Sequence, residues 1–245
     1  MNKAAKSLAV ILLATSIISP AASAKSDQAK ESLVALGDSI PFGYNLGQTN
    51  QNPSKAAYPY LIGAEEDLRV RNLGIPGWQS EQLLGALEDE QKYRQAISHA
   101  DYVVITIGNN DLLQILREAG EESGGNQAQF QQLLVQKLQA DDVFANIAAA
   151  IAETRSLTDA PIVLYNVYNP FQLTDQLHYV ADAILPGINQ TFAALAASSE
   201  NVYLADAYTA FGDNQAAYVI QGDIHPTAAG QQVLADIGIT AFGLE

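Results

Sequence analysis

The stretch Val34-Ala-Leu-Gly-Asp-Ser-Ile-Pro-Phe-Gly43 sets three apolar residues directly against a Gly-Asp-Ser turn. A short apolar run that ends in turn residues is typical of a buried strand. In parallel sheets, the chemistry collects beyond the carboxyl ends of the strands. The serine of this turn, Ser39, is therefore the first candidate for a functional residue, and its partners should lie at the same edge of the sheet.

Short apolar runs alternate with amphipathic stretches along the rest of the chain. The predicted strands are residues 33–36, 69–73, 102–107, 162–167 and 202–205. The predicted helices are residues 56–66, 80–87, 182–197 and 228–239, together with a long helical region at 127–155. Strands that alternate with helices favour βαβ units with right-handed crossovers. We therefore expect an α/β fold, a three-layer α/β/α sandwich around a mainly parallel five-stranded sheet.

Two sequence features lie within or just before the long helical region. Val143, Ile147 and Ile151 repeat every four residues after Asp141, an N-cap candidate, and they predict one buried stripe. Residues 118–126, "EAGEESGGN", are acidic and rich in glycine, which predicts a mobile surface loop. This loop follows a motif described below, so it either borders the functional site or is a neutral insertion.

Composition limits the classes of protein to which the chain can belong. With 245 residues, 48% of them hydrophobic and 16% charged, it can bury one sizeable core. The formal net charge of −15 disfavours binding to nucleic acid or anionic membranes, and the scattered acids are typical of a solvated surface. The chain contains no cysteine, which excludes disulfides, thiolate nucleophiles and cysteine metal sites.

The N-terminus resembles a secretory signal peptide. Lys3 and Lys6 precede an apolar run at residues 8–18, and Ala22-Ser23-Ala24 follows it. An uncleaved membrane anchor would need about 20 apolar residues, which is longer than this run. We predict cleavage after Ala24, a secreted single domain at residues 25–245 with a net charge of −17, and no stable membrane insertion.

Two further stretches could stabilise the oxyanion that forms when a serine attacks an acyl carbon. Residues 71–77 end the second predicted strand in a glycine turn, where a missing side chain lets a backbone N–H approach a ligand closely. Residues 107–111 end the third predicted strand with two side-chain amides, Asn109 and Asn110. A buried amide at that sheet edge could donate a hydrogen bond to the oxyanion.

A fourth stretch supplies a base for the serine. Residues 222–227 place His225 just ahead of the last predicted helix. Histidine is the usual general base at neutral pH. Neither His99 nor His178 lies in a comparable turn, and we predict that both are surface or structural residues.

The ordered set "GDS", "NLGIPG", "GNND" and "DIHP", at residues 37–39, 72–77, 108–111 and 223–226, resembles the GDSL family of esterases and lipases, also called SGNH hydrolases. The resemblance spans residues 33–239, nearly the whole predicted mature chain. It implies a flavodoxin-like sheet and the hydrolysis of carboxylic esters, with lipid or short-to-medium acyl esters as substrates and without a cofactor.

The resemblance also implies roles for individual residues. Ser39 would be the nucleophile and His225 the base. The backbone N–H groups of Ser39 and Gly74, with the Asn110 side chain, would form the oxyanion hole. Asp38 and Asp111 would hold the turns in place.

One position departs from the family pattern. The acid that orients the base commonly lies three residues before the histidine, but that residue is Gly222 here, and the nearby acid is Asp223. Either Asp223 reaches the imidazole from a shifted turn, or a backbone carbonyl orients a Ser-His dyad. A carboxylate stabilises the imidazolium more strongly than a carbonyl does.

Two remaining questions are which residues line a substrate pocket and whether the chain holds a metal site. Phe42, Trp78 and the segment 168–179, "YNPFQLTDQLHY", could supply the apolar surface of an acyl pocket, although Phe42 and Trp78 could equally pack into the core. With three dispersed histidines and no cysteine, we expect no metal site.

Two other functions are compatible with this pattern. The same site could remove acetyl groups from extracellular polysaccharide. A binding module could retain the fold without turnover, but intact Ser39, Asn110 and His225 argue against that function.

Overall fold

The computed structural model describes residues 30–47 and 49–244. The predicted signal peptide at residues 1–24 lies outside them. Within the described ranges, no helix combines the length and the apolar composition needed to cross a membrane.

Five strands form one sheet, and each neighbouring pair runs parallel. They are β1 (Ser32–Gly37), β2 (Arg69–Asn72), β3 (Tyr102–Thr106), β4 (Ile162–Tyr165) and β5 (Val202–Ala205). Their order in space is β2-β1-β3-β4-β5. The direction of winding therefore reverses between β1 and β3, which is where doubly wound sheets bind ligands. The predicted fold class is confirmed, and each strand begins within one residue of its predicted start.

Helices surround the sheet. In the described part of the chain they are α1 (Ser39–Phe42), α2 (Tyr58–Glu65), α3 (Ser80–Asp89), α4 (Gln91–Ile97), α5 (Asn109–Glu122), α6 (Gln127–Ala140), α7 (Val143–Leu157), α8 (Gln176–Ala197), α9 (Ala207–Phe211), α10 (Gln215–Tyr218) and α11 (Ala228–Phe242).

Two hydrophobic clusters lie on opposite faces of the sheet and make the three layers. Val34 and Leu36 of β1 belong to the cluster that packs with α3, α4, α7 and α8. Leu33 and Ala35 belong to the cluster that packs with α2, α9 and α11. This alternation follows from the two-residue period of a strand, and because both faces are covered, β1 is apolar nearly throughout.

The long helical region predicted at residues 127–155 is wrong as a single element, because the chain breaks between α6 and α7. Asp141 causes the break, since its side chain accepts a hydrogen bond from the Val143 N–H at 2.9 Å and so starts a new helix. The buried stripe is confirmed, because Val143, Ile147 and Ile151 are all at most 1% exposed.

The loop predicted at residues 118–126 is also wrong over its first half. Residues 118–122 form the last turn of α5, and only residues 123–126 connect it to α6. The glutamates and alanine of this segment favour a helix, and they outweigh its single early glycine. Helix α8 starts six residues before its predicted start, because Asp175 caps it by accepting from the Leu177 N–H at 2.9 Å.

Candidate active site

The serine of the Gly-Asp-Ser turn lies directly after β1, as the first residue of α1. Its side chain is buried, and its Oγ lies 3.0 Å from Nε2 of His225. The structure therefore joins two residues that are 186 positions apart in the sequence. A hydroxyl within hydrogen-bond reach of an imidazole nitrogen is the arrangement that activates a serine nucleophile.

The histidine is positioned by the loop that leads into α11. Its carbonyl accepts from the Ile220 N–H at 2.9 Å, and its ring contacts the ring of Tyr44 with centroids 5.0 Å apart. The fully buried Gln231 of α11 donates to the Ile40 carbonyl at 3.2 Å, which ties this helix to α1. The base and the nucleophile are thus held by helices that are themselves hydrogen-bonded to each other.

The structure brings Asp223 to the other ring nitrogen of the histidine. Asp223 Oδ1 lies 2.6 Å from His225 Nδ1 and also accepts from the Ile224 N–H at 2.6 Å. If Nδ1 donates to this carboxylate, Nε2 is left as the acceptor that faces Ser39. Of the two alternatives for orienting the base, this geometry is the one that a triad requires.

The backbone at Gly222 gives a physical reason for the displaced acid. Gly222 has a φ of 75°, in the left-handed region where residues with a Cβ are strained. An acid at that position would have to adopt this conformation. The next residue, Asp223, is free of that constraint and supplies the carboxylate instead.

Asn45 is a site residue that no sequence motif indicates. Its Nδ2 donates to Asp223 Oδ2 at 2.6 Å across 178 positions of sequence. Partial burial raises the pKa of the Asp223 carboxyl, but hydrogen bonds from Asn45, the Ile224 N–H and His225 outweigh this effect and lower its pKa below the ordinary value. No local sequence pattern links residues so far apart, so only the fold reveals the contact.

Asp38 and Asp111 connect the turns at the sheet edge, as expected. Asp38 accepts from the Ile40 N–H at 2.9 Å and from Asn109 Nδ2 at 3.0 Å, which joins the turn after β1 to the start of α5. Asp111 accepts from the hydroxyl of Ser80 at 2.6 Å and so joins α5 to α3. Burial raises the pKa of Asp38 to about 7, against the effect of its two donors.

Two of the three predicted oxyanion donors are available beside the nucleophile. Ser39 is the first residue of α1, so its N–H has no acceptor within that helix. Asn110 lines the same cavity as Ser39, and its Nδ2 donates to the Trp78 carbonyl at 2.8 Å. A side-chain amide has two N–H donors, so one of them is left for an oxyanion.

The third predicted donor, Gly74, differs from the expectation. Its N–H donates to Asn72 Oδ1 at 3.0 Å and is therefore already engaged. A Cβ at Gly74 would lie 2.9 Å from the Asp38 carbonyl oxygen, so glycine is required there by the close approach of the nucleophile turn. Within the described residues, the N–H of Gly77 in the same turn has no hydrogen-bond acceptor, and it directly precedes the Trp78 that Asn110 contacts. Gly77 is therefore the better candidate.

An apolar cavity extends from Ser39 among the helices on one side of the sheet. Its polar lining comes from Ser39, Asn109 and Asn110, with Tyr168 beside them. Helices α5, α6 and α8 contribute Leu112, Leu113, Leu116, Leu134, Leu138, Ala181, Ile184, Leu185 and Ile188. A largely apolar concavity with a few convergent polar groups is typical of a site for an apolar ligand.

The aromatic residues predicted for this pocket divide into two groups. Tyr168 and Phe171 of the segment 168–179 line the cavity. Phe42 and Trp78 do not line it: Phe42 is buried, and Trp78 stacks on Tyr93 with ring centroids 5.8 Å apart. For these two residues the packing alternative holds, because their side chains complete the core.

The other histidines lie outside the Ser39 contacts. His99 is exposed, whereas His178 is buried, with Nδ1 2.8 Å from the Phe171 carbonyl and Nε2 3.1 Å from Asp182. Among the described residues, His178, Asp182 and Asp213 form a trio whose ligand atoms lie within 4.8 Å of one another. Both carboxylates are exposed, and the ring nitrogens of His178 already have protein partners, so a structural role accounts for this histidine.

The sequence also matches a known protein family. The sequence profile of the GDSL-like Lipase/Acylhydrolase family matches residues 35–233. The uncharacterized protein YpmR of Bacillus subtilis (strain 168) is 32% identical over 148 residues. That match covers 58% of this chain and 53% of YpmR, so the chain spans about half the length of this relative.

Solved structures show the same fold. The lipase Lip_vut3 from a goat rumen metagenome has a TM-score of 0.68 at 22% identity, covering 86% of this chain and 97% of that chain. A catalytic mutant of Axe2, an acetylxylan esterase from Geobacillus stearothermophilus, has a TM-score of 0.60 at 19% identity, covering 88% and 95% of the two chains. At these identities the likeness concerns the fold alone.

Proposed function

Because this chain belongs to the GDSL-like lipase/acylhydrolase family, we propose that it hydrolyses carboxylic esters of lipid or short-to-medium acyl chains through an acyl-enzyme on Ser39. The observation that carries the proposal is the apolar cavity lined by Ser39 and Asn110. A binding module would have no need of the 3.0 Å contact between Ser39 and His225.

The proposed reaction has two halves. Ser39 Oγ attacks the ester carbonyl carbon while its proton moves to His225 Nε2. The tetrahedral intermediate then collapses, the bond to the alcohol breaks, and the leaving oxygen takes the proton from His225. Water, deprotonated by His225, attacks the acyl-serine and releases the acid and free Ser39. Asp223 stabilises the imidazolium that forms in each half.

Donors around Ser39 would stabilise the negative charge on the carbonyl oxygen. We assign this role to the Ser39 N–H, the free N–H of the Asn110 side chain and the N–H of Gly77. Preorganised donors of this kind require no reorganisation at the moment of reaction, which makes each of them worth about 10²-fold to 10³-fold in rate.

The apolar lining of the cavity favours a longer acyl group over acetyl. Beyond Asn109 and Asn110 at the start of α5, the helices α5, α6 and α8 contribute only apolar side chains to it, and an acetyl group would leave most of these without contact. Acetylated polysaccharide is the alternative substrate, and the fold of an acetylxylan esterase is compatible with it. The two substrates differ in how the rate should depend on acyl length.

We expect kcat/KM to rise from acetyl to longer esters across a panel of aryl esters up to palmitoyl. Each buried methylene contributes roughly 0.8 kcal/mol, so two added methylenes should raise kcat/KM by about tenfold. The panel should be assayed beside phospholipids and acetylated glycans. A maximum at acetyl, with rapid deacetylation of glycans, would favour the alternative substrate.

Two variants of α6 provide the matched control for this panel. Leu138 lines the cavity, whereas Leu133 is also partly buried on α6 but does not line it. Leu138→Trp should move the maximum to a shorter acyl chain because the larger ring fills the cavity. Leu133→Trp should leave the chain-length profile unchanged, and an equal shift in both variants would indicate a general disturbance of α6.

We also propose that the mature chain is exported from the cell. The basic flank, the apolar run and the small residues before Lys25 support it. A mature protein in the culture medium that begins at Lys25 is the form that N-terminal sequencing should find.

A further inference from the structure

The acid beside the histidine is held by a side chain from a different part of the chain. Asp223 Oδ1 accepts from His225 and from the Ile224 N–H, which are both its close neighbours in sequence. Asp223 Oδ2 accepts from Asn45 Nδ2 at 2.6 Å, and within the described residues this is its one hydrogen-bond partner. Among the residues that the structure describes, Asn45 is therefore the one that fixes the second oxygen of the carboxylate.

Asn45 is in turn locked into a single orientation. Its backbone N–H donates to Asn50 Oδ1 at 2.9 Å, and its own Oδ1 accepts from Asn50 Nδ2 at 2.8 Å. Because its oxygen is engaged by a donor, its Nδ2 has to face Asp223. The residue has a φ of 63°, a left-handed conformation that asparagine tolerates better than other residues with a Cβ.

We propose that Asn45 is a positioning residue, which holds the displaced carboxylate of Asp223 against Nδ1 of His225. This inference rests on the proposed ester hydrolysis. Without Asn45, Oδ2 would face solvent and the carboxylate could rotate away from the imidazole. A hydrogen bond from an amide to an ionised carboxylate is charge-assisted, and it can hold that orientation even at a partly exposed site.

The need for this contact follows from the position of the acid. With Gly222 in a left-handed turn, the carboxylate comes from only two residues before the histidine. Asp223 and His225 then lie on the same short turn, where the direction of the carboxylate is not set by a separate element. Asn45 supplies that separate element from the loop after α1.

The test replaces Asn45 with glycine, which removes the side chain and leaves the backbone conformation unchanged. Asn45→Gly removes the amide but accepts the left-handed φ without strain. We expect kcat on the preferred ester to fall about tenfold while KM changes less than about twofold, since the imidazolium forms only during the reaction. Asn201→Gly is the matched control, because Asn201 also has a left-handed φ, 57°, and donates to a remote carbonyl, that of Asp159. It should leave both constants unchanged.

A double-mutant cycle distinguishes positioning from a merely structural role. In an Asp223→Ala background, Asn45→Gly should cause no further loss in kcat, because there is no carboxylate left to hold. Full activity of Asn45→Gly, or an equal loss in both backgrounds, would overturn the inference. Absence of esterase activity in the unmodified protein would instead refute the proposed function, so the two failures are distinguishable.

Discussion

Ser39→Ala should lower kcat for ester hydrolysis by roughly 10⁴-fold to 10⁶-fold. The reason is the loss of the atom that attacks the ester, Oγ, which lies 3.0 Å from His225 Nε2. Substrate binding should change little, since the cavity is apolar and the alanine keeps its Cβ. The measurement is kcat and KM on the preferred ester of the acyl panel, together with the thermal unfolding midpoint.

The fold of this variant should be intact, because the one side-chain hydrogen bond that Ser39 makes within the described residues is with His225. Asn110→Ala provides a comparison, because the loss of one oxyanion donor should cost only about 10²-fold to 10³-fold in kcat. Ester turnover retained by pure, folded Ser39→Ala would disprove the acyl-enzyme mechanism.

Asp223→Asn should lower kcat by up to about 10⁴-fold. The substitution keeps the size of the side chain but removes the charge that lies 2.6 Å from His225 Nδ1 and stabilises the imidazolium. The amide can also present an N–H to Nδ1, which favours the wrong tautomer of the histidine. The measurement is kcat of Asp223→Asn beside that of His225→Ala in the same assay.

The two variants together decide between a triad and a dyad. A collapse of activity in His225→Ala with less than a tenfold change in Asp223→Asn would leave a Ser-His dyad. In that case the 2.6 Å contact would be of little catalytic consequence, as for a screened charge at the surface.

The sheet could be predicted closely because its signal is local. Apart from β2, whose sequence is RVRN, each strand is a short and mostly apolar run, and the bounds predicted for the last strand, residues 202–205, match those observed. Helix boundaries were harder, since the break between α6 and α7 depends on which of two adjacent aspartates accepts a backbone N–H. The early start of α8 likewise depends on a side-chain cap at Asp175.

The residues of the candidate site likewise divide into those that a local motif reveals and those that only the assembled fold reveals. Ser39, Asn110 and His225 could be located because each belongs to a short motif next to a predicted element. A sequence motif does not show the direction of a backbone N–H, so the motif indicates Gly74 although its N–H donates to Asn72 Oδ1. Asn45 cannot be identified from the sequence, because its contact with Asp223 spans 178 residues and depends on the assembled fold.

The contact between Ser39 and His225 also has a consequence for how the chain folds. It closes a loop of 186 residues, so it can form only after the first strand and the last helix have both docked on the sheet. A parallel sheet also pairs strands that are far apart in sequence, and such folds form slowly because loop-closure entropy is lost before the contacts form. Recovery of ester hydrolysis during refolding therefore reports the last stage of assembly, whereas recovery of helical circular dichroism reports earlier, local steps.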